Sequence, residues 1–203
     1  MEREGIDLQR GMMFRDLEER ISVFLVLPHD GEFKDEWDER QKRYTFRGHD
    51  STTVESGREK DQIAMYASGR LSENGKFLKA ANAYKEGTRS DPLPVQIYEK
   101  IDSGVWFDKG IFHLIYAARV DSGGRMVFEF HLTLANLSRI ADDAHHDERM
   151  LSASAKAQAW QSGRGRCNGC ATQSGLRFVA DARSREVSLM CPRCRSEDIG
   201  LLG

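Results

Sequence analysis

Several things this chain has little of narrow what it can be. No apolar run is long enough to cross a bilayer: Val23–Leu27 holds five residues where a spanning helix needs about 20. The first residues, Met1-Glu-Arg-Glu-Gly-Ile-Asp7, are charged and offer no apolar leader core, so the cytoplasm is the expected location. Positive charge is not in excess. A net charge of −2 over 203 residues gives no whole-molecule basic field to advertise a polyanion partner. Repeated strand–helix alternation is missing, which excludes doubly wound and eight-fold barrel layouts. Gly123-Gly124 has no Lys-Ser/Thr behind it and reads as a turn, not a phosphate loop. Ser, His and Asp nowhere fall in a spacing that suggests a triad. What remains, 39% hydrophobic with 31% charged, suits one medium folded domain plus a small appendage.

Cysteine is confined to four positions, and their spacing carries the strongest signal in the chain. Cys167-x-x-Cys170 is followed after twenty residues by Cys191-x-x-Cys194. Each CxxC turn presents two sulfurs to one point, and two such turns supply the four ligands of a tetrahedral Zn²⁺. Without an export signal, disulfides are the weaker reading. A structural zinc is the expected cofactor. The same region is locally basic: seven arginines between Gly163 and Arg195 face only Asp181 and Glu186. Arg164, Arg166, Arg183 and Arg185 are the candidate phosphate contacts, with a solvated surface as the alternative.

Along the rest of the chain, residues 7–20 read as a short helix or helical turn with Leu8, Met12 and Leu17 broadly on one side. Ile21–Leu27 reads as a buried strand ended by Pro28. The acidic stretch Glu32–Glu39 precedes a short strand, Arg43–Arg47, and residues 51–60 read as polar loop. Phe77, Ala80, Ala81 and Tyr84 recur at helical spacing over 72–86, stopped by Gly87. Three strand-like segments follow, Val95–Ile101, Gly110–Val120 and Arg125–Leu134, with turns at Asp102-Ser-Gly104 and Asp121–Gly124. Residues 136–162 are polar, with a connecting helix expected from about Asp147 to Trp160. Asp142, Asp143, His145, His146 and Asp147 lie in this linker and read as a solvated helix start, not a metal cluster. The pattern predicts an α+β fold: a curled antiparallel barrel with flanking helices and a small C-terminal four-cysteine zinc module.

Residues 167–202 resemble an HNH endonuclease motif. The carriers are Trp160 ahead of Gly163-Arg-Gly-Arg-Cys167, then Leu176-Arg-Phe178, then Glu186-Val-Ser-Leu-Met-Cys191-Pro-Arg-Cys194. The chain departs from the motif where the chemistry sits. Ala180 stands where the resemblance places the general-base histidine, Arg195 stands at the usual asparagine, and Asp198 lies near the usual lysine. Hydrolysis needs a base for water and a ligand for Mg²⁺ at the scissile phosphate, and four thiolates leave zinc no open position. No catalytic residue is therefore assigned. An active modification-dependent endonuclease with a divergent metal site, drawing on His145 or His146, is the rival reading.

Residues 10–134 resemble an SRA (YDG) domain, the module often found ahead of bacterial HNH nucleases. The matching pieces are Ile21-Ser-Val-Phe24, Glu32–Glu39, Tyr44-Thr-Phe-Arg-Gly-His-Asp50, Asp61-Gln62, Asn74-Gly-Lys-Phe-Leu-Lys-Ala80 and Pro94-Val-Gln-Ile97. Phe107-Asp-Lys-Gly110 resembles the Tyr-Asp-Gly signature with a lysine inserted. The resemblance implies a PUA-like curled barrel that flips a modified cytosine, 5-methyl or 5-hydroxymethyl, out of double-stranded DNA. A flipped base needs aromatic faces and an acceptor for its N4 amino group. By position, Tyr44 is the first stacking candidate, with Trp37, Phe33 or Phe46 as the other face; core packing is the alternative for Phe33 and Phe46. Asp35 or Asp38 would accept from N4, and Arg47 and His49 would meet phosphate or the vacated stack. The expected organisation is 1–135 SRA-like, 136–162 linker, 163–203 zinc module. The missing nuclease site leaves room for a nuclease partner or a homodimer, and no membrane is involved. A PUA-like RNA- or protein-binding module is the remaining alternative.

Overall fold

The structure, a computed structural model, describes residues 11–15, 21–26, 36–38, 43–50, 60–135, 148, 151–181, 184 and 186–195. The chain divides into two compact units: Met1–Tyr98 with Asp108–Asn136, and Glu99–Phe107 with Leu137–Gly203.

The first unit is built on a curled, half-barrel mixed sheet. Its strands are β1 (Met12–Met13), β2 (Ser22–Val26), β3 (Glu36–Asp38), β4 (Arg43–Arg47), β5 (Leu93–Asp102), β6 (Val105–Asp121) and β7 (Met126–Leu134). Their order across the sheet is β1-β2-β5-β6-β7-β4-β3. The hydrophobic alternation of β4 and β7 is that of strands with one face on a core. Tyr44 and Phe46 turn inward with Phe130 and Leu132, while Arg43, Thr45 and Arg47 take the other face with Glu129, His131 and Thr133. Phenylalanines fill the interior: Phe24 lies 4.3 Å from Phe46 in a stacked pair and 4.6 Å from Phe77. Burying side chains of this size stabilises by about 1.5–3 kcal/mol each. On the other face, burial lowers the His131 pKa, Arg43 adds to the effect, and Glu129 opposes it.

The expected helix over 7–20 is corrected where it is described. Met12 and Met13 form β1, antiparallel to Val23 and Phe24, and Met12 is buried. Pairing with β2 satisfies this backbone, and a few apolar residues at mixed spacing do not separate strand from helix. β6 begins at Val105, five residues before the sequence pattern suggests.

The helix described in this unit, α1 (Glu73–Lys85), starts where the sequence places it. The Ser72 hydroxyl caps it, accepting from the Gly75 N–H at 3.1 Å. Phe77, Ala80 and Ala81 are its buried stripe, and Gly87, at φ +74°, ends the run. The first turn of α1 runs directly under another piece of backbone. A Cβ on Gly75 would sit 1.9 Å from the Ala64 carbonyl oxygen. Ser72 holds that backbone in place, donating N–H to Ala64 O at 2.9 Å and its hydroxyl to Ile63 O at 2.6 Å. Gly75→Ala is therefore expected to destabilise the protein by about 3 kcal/mol, the upper range for overpacking. Urea unfolding checks this: the midpoint should fall with little change in slope.

The second unit comprises the tip of the β5–β6 hairpin, helix α2 (Ala153–Gly163), and the two-stranded antiparallel sheet β8 (Arg177–Ala180) and β9 (Val187–Met190). Ile101 from the hairpin tip, Ala159 from α2, Phe178 and Leu189 make its core, flanked by Val105, Phe107, Leu151 and Trp160. The Phe107 and Phe178 rings meet edge to face at 5.9 Å. Lys156, fully buried on α2, pairs with the equally buried Glu99. Its ammonium also lies 3.7 Å from the centre of the Phe107 ring. α2 ends in two consecutive left-handed residues, Arg164 and Gly165, whose N–H groups return to Gln161 O and Trp160 O.

Candidate functional site

The four cysteines converge. Cys167 leaves the α2 terminus through that left-handed turn, and Cys191 directly follows β9. Backbone bonds from Cys167 N to Thr172 O, from Asn168 N to Leu189 O and from Ala171 N to Cys167 O fold the first CxxC turn, each at 2.8 Å. Gly169 is required by crowding: a Cβ there would lie 2.9 Å from the Cys194 sulfur.

All four sulfurs lie within 4.8 Å of one another, and none is in a disulfide. Cys170 and Cys191 approach to 3.6 Å. Metal–sulfur bonds of about 2.3 Å in a tetrahedron give sulfur–sulfur edges of about 3.8 Å, so the cluster has the dimensions of a four-sulfur metal site. Among the described residues it is the one such grouping of His, Cys, Asp or Glu.

The surroundings favour ionised sulfur at one ligand. The Cys191 N–H points at the Cys167 sulfur from 3.3 Å, and with the N–H groups of Cys170 and Gly169 it holds the Cys167 thiol down to about 6 against the opposing effect of burial. Cys194 is pushed up to about 12, first by sharing a proton with Cys170 and then by burial. Cys167, Cys170, Cys191 and Cys194 would give up these shared protons on holding a cation, whose charge would let all four sulfurs ionise.

In the segment that resembles an HNH motif, Ala180 closes β8. The Asp181 carboxylate accepts from Ser184 N–H at 2.6 Å, and Asp181 N–H donates to Glu186 O at 2.9 Å. Asp181 thus closes the β8–β9 turn. Arg195 N–H donates to Cys191 O at 3.0 Å. Arg164 and Arg166 are exposed beside Cys167. Arg183, Arg185, Asp198, His145 and His146 lie outside the described residues.

In the first unit, two of the base-pocket candidates, Tyr44 and Phe46, are core residues. Tyr44 is only 2% exposed. It stands edge-on to Phe112 at 6.2 Å, and the ammonium of fully buried Lys109 lies 5.4 Å from its ring centre. Phe46 belongs to the phenylalanine core, stacked on Phe24. Trp37 is paired in register with Tyr44 across β3 and β4. Asp38 is paired with Arg43 and is exposed. Phe33 and Asp35 lie outside the described residues. Arg47 is committed to Glu129 at 2.9 Å and the Ser122 hydroxyl at 3.2 Å.

Behind Arg47, the Gly48-His49-Asp50 segment is clamped from three sides. Asn74 accepts the His49 N–H at 2.9 Å and donates to its carbonyl at 2.8 Å. Gln62 donates to Gly48 O at 2.5 Å and to Asp50 at 3.0 Å, and accepts the Phe128 N–H at 2.8 Å. Arg125 donates to both Asp50 oxygens, at 3.0 and 3.1 Å. Gly48 is wedged in this clamp, where a Cβ would meet Gln62, Asn74 and Phe128 at 2.5, 2.7 and 2.9 Å. In the sequence, Gln62 and Asn74 belong to the matching pieces but carry no evident role, and no local pattern singles out Arg125. Lys109 is the residue inserted in the Tyr-Asp-Gly-like segment, and no sequence signal marks a lysine as buried.

No protein-family model matches the chain, and no curated protein matches it. Solved structures do. The SRA domain of SUVH5 in complex with fully methylated CG DNA is similar at a TM-score of 0.43 and 16% identity, covering 62% of this chain and 73% of that one. The same domain bound to fully hydroxymethylated CG DNA gives 0.43, 16%, 63% and 75%. The DNA modification-dependent restriction endonuclease AspBHI gives 0.47, 15%, 65% and 36%.

Proposed function

We propose that this protein binds double-stranded DNA carrying a modified cytosine, 5-methyl or 5-hydroxymethyl, through its sheet unit, and that its four-cysteine cluster holds a structural Zn²⁺. The observation that carries the DNA reading is the setting of β4, the strand at the centre of the SRA resemblance. Its Tyr44 ring has a buried ammonium beside it, and its end is fixed by the Gln62–Asn74–Arg125 clamp. Tyr44 is 2% exposed, so a flipped base would reach its ring only by displacing the side chains that cover it, and stacking on an aromatic face contributes about 1–3 kcal/mol per base. Zinc fits the donor set, four cysteine sulfurs within 4.8 Å of one another, each CxxC turn supplying two. Cys167, Cys170, Cys191 and Cys194 would hold it, and its role is to tie together a unit with a small core. With Ala180 and Arg195 at the positions that matter for HNH hydrolysis, the role is recognition without cleavage. Arg164 and Arg166, exposed beside the cluster, would add phosphate contacts.

The test is titration against matched duplexes bearing cytosine, 5-methylcytosine or 5-hydroxymethylcytosine at one site, with and without Mg²⁺. One modified duplex should bind at least about tenfold tighter than the unmodified one. Tyr44→Leu, which keeps a buried apolar side chain but removes the ring, should abolish that preference. Equal, weak binding to all three duplexes would end the base-flipping reading. Strand cleavage in Mg²⁺ would make the protein a nuclease and turn attention to His145 and His146.

A further inference from the structure

Ile63, Met65 and Tyr66, 37%, 56% and 39% exposed, are three of the five large hydrophobic side chains exposed among the described residues. They sit together on a short spur between Gln62 and α1, and the spur is rigid. Met65 and Leu71 bridge across it, Tyr66 N–H donates to Arg70 O at 2.9 Å, and Gly69, at φ +79°, donates to Tyr66 O at 2.9 Å. Ser72 clasps its base through Ile63 O and Ala64 O, over the close approach of Gly75. A loop that merely connected Gln62 to α1 would have no reason to hold apolar side chains in water on so fixed a frame.

Its charge says what it meets. Arg70 is the only charged residue from Ile63 to Ser72, and its guanidinium lies 5.1 Å from the centre of the Tyr66 ring. Lys60 and Asp61, both exposed, precede it and offset one another, so the charge of the spur itself is that of Arg70. The tip is thus apolar and cationic on a chain whose net charge is −2. The spur also begins one residue after Gln62, whose amide grips Gly48 and Asp50 at the end of β4. An aromatic ring with a stacked guanidinium suits the faces of bases and sugars beside a phosphate.

We propose that the Ile63–Ser72 spur is a second DNA contact, with Tyr66 and Met65 against sugar and base faces and Arg70 against a phosphate. This rests on the DNA reading above, and the experiment separates the two. The full zinc-loaded chain, Met65→Ser/Tyr66→Ser and Arg70→Gln are titrated with unmodified and modified duplexes over a range of salt concentrations. All three positions are exposed, and thermal unfolding confirms that the variants are folded. The double substitution should weaken binding to every duplex by a common factor of about tenfold, leaving the preference for modified cytosine intact. Arg70→Gln should lower the log–log salt slope by about 1. If both variants bind with unchanged affinity and slope while the parent still prefers modified DNA, the spur is not a DNA contact and the base-recognition reading stands. If the parent binds no duplex, both fail. If sedimentation shows a self-associating parent, a monomeric double variant and unchanged DNA affinity, the spur is a protein surface and the proposal is overturned.

Discussion

Stripping the metal with a chelator is expected to unfold the second unit as a block. Its organic core is small: Ile101, Ala159, Phe178 and Leu189, with two strands of four residues each. A structural zinc in such a setting contributes about 10–16 kcal/mol of apparent binding free energy at neutral pH. That equals or exceeds the whole stability of a typical domain, about 5–15 kcal/mol. Hydrogen exchange should therefore lose protection together at 99–107, 153–163, 177–180 and 187–190 when the metal is removed, and Cys191→Ser should reproduce the loss. Acid should act in the same direction, because protons compete with a metal for cysteine sulfur. Full protection at β8 and β9 in the metal-free protein would show that the four-cysteine cluster is not what holds this unit.

Lys156→Met is the second large effect, expected at about 3–5 kcal/mol. Lys156 and Glu99 are 0% and 1% exposed, and removing the ammonium leaves a carboxylate buried with its cation gone. The attraction of the ammonium to the Phe107 ring is lost as well. The pair itself need not be a net stabiliser, because desolvating two ions costs nearly what their attraction returns. Glu99→Leu added to Lys156→Met should thus recover most of the lost stability, whereas two independent contributions would add. A double-mutant cycle by denaturant unfolding of the metal-loaded protein distinguishes the two.

The parts of this fold that the sequence announces are those with local causes. β4 at Arg43–Arg47 alternates cleanly, α1 begins at a serine cap and ends at a glycine, and Gly104, Gly123 and Gly124 adopt the left-handed turns that their dipeptides suggest. The four cysteines needed only their spacing. What stayed hidden depends on distant partners. Met12 is a strand residue because β2 lies beside it, and no local pattern reveals that. Lys109 and Lys156 are buried although lysine rarely is. The clamp on Gly48–Asp50 joins residues up to 75 positions apart. Tyr44 and Arg47 can be proposed from a motif, but their opposite directions come from the alternation of the strand in its sheet.

The second unit is entered twice by the chain, first at Glu99–Phe107 and again from Leu137 onward. On the ribosome this imposes a delay. Phe107 is made 87 residues before Cys194, which at about 5–20 residues per second is about 4–17 s. Through that interval Ile101, Val105 and Phe107 have been synthesised, but the helix, strands and metal ligands that will cover them have not. Nascent chains of this protein should consequently be most prone to chaperone capture and misassociation in the window that closes when Cys194 emerges, and a shortage of metal would hold that window open after synthesis ends.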